Sequence, residues 1–146
     1  MVKIRASCRL YGENFSPRLA EERTGLRFTR KNELGDLGQS GRFRGTPIPY
    51  GSATLEAPFD TQTKPGNVSP EEWVIDVLSP CIEELRSSGA TSIDLDLEVV
   101  WQDQCNLAFD AAFLRKVGRL NIGFTLSCYE GRVGESWMGE NDTTEE

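Results

Sequence analysis

Ile93-Asp94-Leu95-Asp96-Leu97-Glu98-Val99-Val100-Trp101 alternates apolar with mostly acidic residues, which is the period of a strand with one buried and one wet face. The N-terminal run Val2-Lys3-Ile4-Arg5-Ala6-Ser7-Cys8-Arg9-Leu10 has the same period, with bases on its polar side. As neighbours, the two strands put Lys3, Arg5 and Arg9 on one face with Asp94, Asp96 and Glu98, where opposed charges contribute roughly 0.2–1 kcal/mol per pair. A sheet that is apolar on one face and charged on the other is antiparallel in character and needs helices only on its apolar side.

Working outward, Ser16-Pro17 predicts a helix over 17–24: the serine caps, proline suits the first helical position, and Gly25 offers a left-handed stop. Ser69-Pro70-Glu71-Glu72 opens a longer helix, with Glu72 placed for a capping box and Val68 and Trp73 for a hydrophobic staple. Its stripe of Trp73, Val74, Val77, Leu78, Cys81, Ile82 and Leu85 crosses Pro80. Proline removes a main-chain hydrogen bond at a cost of about 3 kcal/mol, so the helix should kink or split there. Asp110 caps a third helix that turns Phe113, Leu114, Val117 and Leu120 inward. Before it, Gln102-Asp103-Gln104 reads as a turn and Cys105, Leu107 and Phe109 as a hairpin partner of the preceding strand; after it, Ile122, Phe124, Leu126 and Cys128 mark a last strand. Residues 27–52 hold Gly35, Gly38, Gly41, Gly45, Gly51, Pro47 and Pro49, which read as a long loop leading to a short strand near 51–57. The order predicts an α+β fold, a mostly antiparallel sheet with helices packed on one face, in a ferredoxin-like or split β-α-β variant. The domain spans 1–130 and an acidic tail, read as flexible, spans 131–146.

The chain has 146 residues, enough for one domain, and a net charge of −7. That sum divides unevenly, with residues 1–64 at net +4 and residues 65–146 at net −11. Histidine is absent, which removes imidazole-dependent triads and His-ligated metals. No apolar run is long enough for a bilayer and the N-terminus builds no signal-peptide core, so a cytoplasmic protein is expected, with no membrane partner. Cys8, Cys81, Cys105 and Cys128 include no Cys-x-x-Cys pair and fall on positions read as inward, so buried reduced thiols are expected. No cofactor is implied.

Three constellations carry candidate chemistry. Glu71, Asp76, Glu83 and Glu84 on the long helix, with Trp137 in the tail, form a surface suited to a protein with a basic face, because complementary potentials speed association and reject wrong partners. Arg27, Arg30, Lys31, Arg42 and Arg44 lie in the glycine-rich segment 27–45, where arginine forks suit a nucleotide or other anion and Phe28, Phe43 and Tyr50 offer stacking faces. Neither a Walker nor a dinucleotide glycine motif occurs, and direct nucleic-acid binding is not expected. Asp94, Asp96 and Glu98 are the weakest candidate, three carboxylates at two-residue spacing for a divalent metal, against which stands simple pairing with the basic strand.

The opening strand followed by Phe15-Ser16-Pro17, the Thr24-Gly25-Leu26 exit, the long second helix and the unit from Phe109-Asp110 through Leu126 resemble an uncharacterised bacterial family catalogued as domain of unknown function 4279. The resemblance implies an immunity-type protein that acts by protein binding, and it carries over no functional residue. The primary expectation is therefore a small binding protein or inhibitor that neutralises a basic toxin or effector. The alternative is an anion- or nucleotide-binding module, or a phosphate-handling enzyme, built on loop 27–45.

Overall fold

β1 (Val2–Gly12) is the strand about which the sheet is organised, because both of its edges are paired antiparallel, with β3 (Gly51–Glu56) on one side and β4 (Ser92–Trp101) on the other. The computed structural model describes residues 1–131. A short outer strand β2 (Arg30–Asn32) lies antiparallel to β3, and β5 (Gly123–Glu130) lies parallel to β4, so the five strands run β2-β3-β1-β4-β5. Helix α1 (Pro17–Thr24) links β1 to β2 with β3 lodged between them, which is a split β-α-β unit. The first four strands thus carry the ferredoxin-like order within an α+β fold, and α4 (Ala111–Leu120) adds β5 by one parallel crossover.

Local signals account for the helices. Ser16 Oγ accepts from the Leu19 amide at 3.2 Å, and Gly25 at φ 76° returns its amide to the Glu21 carbonyl, closing α1 at both ends. Ser69 caps α2 (Pro70–Leu78) through the Glu72 amide. Pro80 divides the long helix as expected: α2 gives way to a 3-10 turn at Ser79–Cys81 and resumes as α3 (Ile82–Ser87). Asp110 caps α4 through the Phe113 amide at 2.8 Å, and Arg86 reaches from α3 to the carbonyls of Leu120 and Asn121 at its far end.

The core lies between these helices and one face of the sheet. Ala6, Cys8 and Leu10 of β1 and Ile93, Leu95, Leu97 and Val99 of β4 meet Val74, Ile75, Leu78 and Leu85, most of them with no exposed surface. The alternation in both strands therefore predicts the buried face correctly. Three expectations need correction. Cys105, Leu107 and Phe109 form no strand; they pack partly buried against the core as an extended link into α4, and β5 takes the place beside β4 that a hairpin partner would have filled. Leu114 does not face inward but is 50% exposed. Cys128 shares the core-facing phase of β5 yet is exposed, because β5 is an edge strand and α4 covers only part of it.

Candidate functional site

The segment after β2 is an ordered structure rather than a solvated connection. The Gly35 amide donates to the Ile48 carbonyl and the Ile48 amide to the Asp36 carbonyl, both at 2.8 Å, and Gly38 exchanges similar bonds with Thr46 and Gly45 at 2.9 Å. A Cβ at Gly38 would overlap the Phe43 carbonyl, so the two limbs touch through the missing side chain. A 3-10 turn at Gly41–Phe43 forms the tip. Asn32 Nδ2 donates to the Tyr50 carbonyl at 2.9 Å and ties the return limb to β2.

This hairpin-like loop stands beside Tyr11 at the end of β1, which continues the outward phase of Lys3, Arg5 and Arg9. The Tyr11 and Tyr50 rings lie 4.8 Å apart, Tyr50 meets Phe43 edge-on at 5.7 Å, and the Arg42 guanidinium sits 5.5 Å from the Phe43 ring centre. Together with Gln39 and Ile48 they line an open cleft of about 690 Å³. Three aromatic faces, one permanent cation and a side-chain amide around a cavity of that size suit a planar ring carrying negative charge.

Of the five cations expected at an anion site, only Arg42 lines this cleft. Arg30 pairs with Glu56 at 3.4 Å, and Lys31 is held by the buried carboxylate of Glu21. Burial alone would raise the Glu21 carboxyl, but hydrogen bonds from Lys31 and the Phe28 amide, with the charges of Lys31 and Arg27, hold it below the usual range. Arg27 and Arg44 are exposed on the segment's flanks. Tyr11 and Gln39 are absent from the sequence-derived set; continuing the odd phase of β1 by one step finds Tyr11.

The acidic candidates lie elsewhere. Asp76 is bridged to Lys116 of α4 at 3.3 Å, Glu83 to Arg86 at 3.7 Å, and Glu84 accepts from Ser87. Glu71 is half-buried in the first turn of α2, and Trp137 lies outside the described residues. On the open face Asp96 meets Arg9 at 3.2 Å and Asp94 accepts from Ser92 at 2.8 Å, while Glu98 stands opposite Arg5. Among the described residues no group of three cysteine or carboxylate side chains converges to hold a metal, so Asp94, Asp96 and Glu98 form a row rather than a cage. The expectation that all four cysteines are buried holds for Cys8, whose thiol burial pushes up to about 12, but Cys81 and Cys105 are half-buried and Cys128 is exposed. No described helix is long and apolar enough to cross a membrane. No family model, curated protein or solved structure matches the chain.

Proposed function

We propose that the protein is a binding module whose rim cleft takes an anionic, ring-bearing ligand of nucleotide class. The observation that carries this reading is Arg42 poised over Phe43 beside the Tyr11–Tyr50 pair, on a cleft large enough for one base and its phosphate. Stacking supplies affinity without base selectivity, and the guanidinium supplies the preference for charge. Nucleoside mono- and diphosphates should raise the melting temperature, and Arg42→Ala should weaken binding about tenfold, as expected for one charge-assisted contact. No shift across a nucleotide panel in differential scanning fluorimetry would remove the proposal.

A second reading keeps the acidic helix surface as a docking face for a basic protein, in the manner of an immunity-type inhibitor. It is favoured by the exposure of Glu83, whose side chain is 87% accessible, and of Asp76 at 60%. Reversing Glu83 and Glu84 to lysine should abolish partner capture and leave nucleotide-induced stabilisation untouched, which separates the two readings.

A further inference from the structure

The outer edge of β5 and the flank of α4 beside it form a surface without charge. Gly123-Phe124-Thr125-Leu126-Ser127-Cys128-Tyr129 contains no Asp, Glu, Lys, Arg or Pro, and no described strand pairs with its outer side. Leu126 is 41% exposed on the core-facing side and Tyr129 57% exposed on the open face. Lys116 points from α4 toward α2, where it meets Asp76, while Phe113 and Val117 face the core. At about 100° per residue, Leu114 and Gly118 then occupy the flank nearest the free edge and Arg115 and Arg119 turn outward.

Gly118 supplies an independent observation. A glycine inside a helix costs about 1 kcal/mol relative to alanine, yet a Cβ there would meet nothing within 4 Å, so no contact of the described residues requires it. Helix interfaces are where missing side chains let backbones approach. A long, uncharged edge is also what folded chains avoid unless it is paired.

We propose that this edge pairs with the same edge of a second copy, β5 antiparallel to β5 about a two-fold axis, with the Gly118 flanks of the two α4 helices approaching each other over the join. The register centred on Leu126 keeps both helical layers on one side of a continuous ten-stranded sheet. It sets Leu126 against Leu126, Phe124 against Cys128, and the Tyr129 ring over Gly123 of the second copy. Glu130, the one charge on the strand, comes opposite Ile122 at the end of α4, whose last turn carries Arg119. Residues 1–131 hold 15 bases and 18 acids, so two copies carry charge of both signs over most of their surfaces, and this strip lets them meet without opposing like charges. A charge-steered partner would find nothing here to recognise.

Sedimentation of the full chain up to about 100 μM should show twice the 16.3 kDa chain mass. Leu126→Lys, at a site exposed enough to hold lysine in one copy, opposes two ammonium groups at the axis and should return the monomer with an unchanged far-UV spectrum. Leu126→Cys in a Cys128→Ser background should form an interchain disulfide under mild oxidation, since directly opposed residues of an antiparallel pair lie within bridging distance. A monomer at the top concentration, a dimer indifferent to Leu126→Lys, or no crosslink from Leu126→Cys each overturns the proposal. Should Leu126→Lys fail to fold, the crosslink decides.

Discussion

Around the turn that leaves β1 the chain is closed by backbone contacts that admit no side chain, whereas at the β5 end of the sheet it is held by side chains, with no described strand beyond. A Cβ at Gly12 would overlap the Gly89 carbonyl and one at Gly51 the Phe15 carbonyl, so the turn at Phe15 is gripped between two strands and the α3–β4 link. The Ser16 amide donates to the Ser88 carbonyl at 3.1 Å across the same junction. Beyond it the edge strand is three residues long and carries Arg30 and Lys31, the length and charge that discourage further pairing. On the other side, Phe109, Phe113 and Phe124 meet with ring centres 5.3–6.3 Å apart, and the strand they anchor is eight residues long with no described strand on its outer edge. One side ends the sheet; the other presents an edge that can extend it.

The largest test of this contrast is Phe113→Ala. It removes the ring that links α4 to β5 and should cost about 3–5 kcal/mol in urea unfolding. Amides of β5 should exchange before those of β3, since the antiparallel side does not depend on that ring. Uniform loss of protection across the sheet would deny the division.

Gly51→Ala comes next, at about 2–3 kcal/mol, because a new methyl must displace main chain. The comparison is Gly123→Ala on the open side, where a Cβ meets only the carboxylate end of Asp94, a side chain that can swing away. Its expected cost stays below about 1 kcal/mol. Equal costs at the two glycines would mean that the closed side is no more constrained than the open one.

The third test is electrostatic. Because Glu21 is held below its ordinary value, the stability it contributes is complete above the unfolded carboxylate value of about 4.3 and is lost as pH falls through the folded value. Lys31→Met should therefore cost about 1 kcal/mol at neutral pH, discounted for the half-exposed ammonium, with the difference from the parent chain vanishing in acid. A pH-independent difference would mean that packing, rather than this ion pair, holds β2 in place.

Much of this division is local enough to be read from residues. Alternation assigns the buried phase of β1 and β4, and the Ser-Pro and Asp caps locate the helix starts, because each signal depends on neighbours within a few positions. Partnership is another matter. Cys105, Leu107 and Phe109 alternate and are half-buried, yet periodicity reports a face and not the strand that pairs with it; the crossover through α4 chooses β5 in parallel. Lys3 has the phase of a wet residue and is buried because the segment around Asp60 folds over it and pairs with it at 3.8 Å. The cations of 27–45 suggest one site, but Glu21 and Glu56 claim two of them through contacts set by the sheet. Arg42, Phe43 and Tyr50 of that segment form the cleft while Phe28 is buried in the core, and the Tyr11 wall comes from a strand read for its charges.

The smallest expected effect separates the two sides most cleanly, since it applies to Gly118 the substitution that damages Gly51. With open space at Gly118, alanine adds helix propensity and removes unfolded-state freedom, so the dilute single chain should gain about 0.5–1 kcal/mol. The same methyl would keep two α4 helices apart, so the gain should shrink at protein concentrations where copies associate. Thermal unfolding of parent and Gly118→Ala across a dilution series reads both effects in one experiment. A gain that is independent of concentration makes Gly118 a neutral feature of an isolated helix, whereas a loss at every dilution means that the flank of α4 is already packed within the single chain.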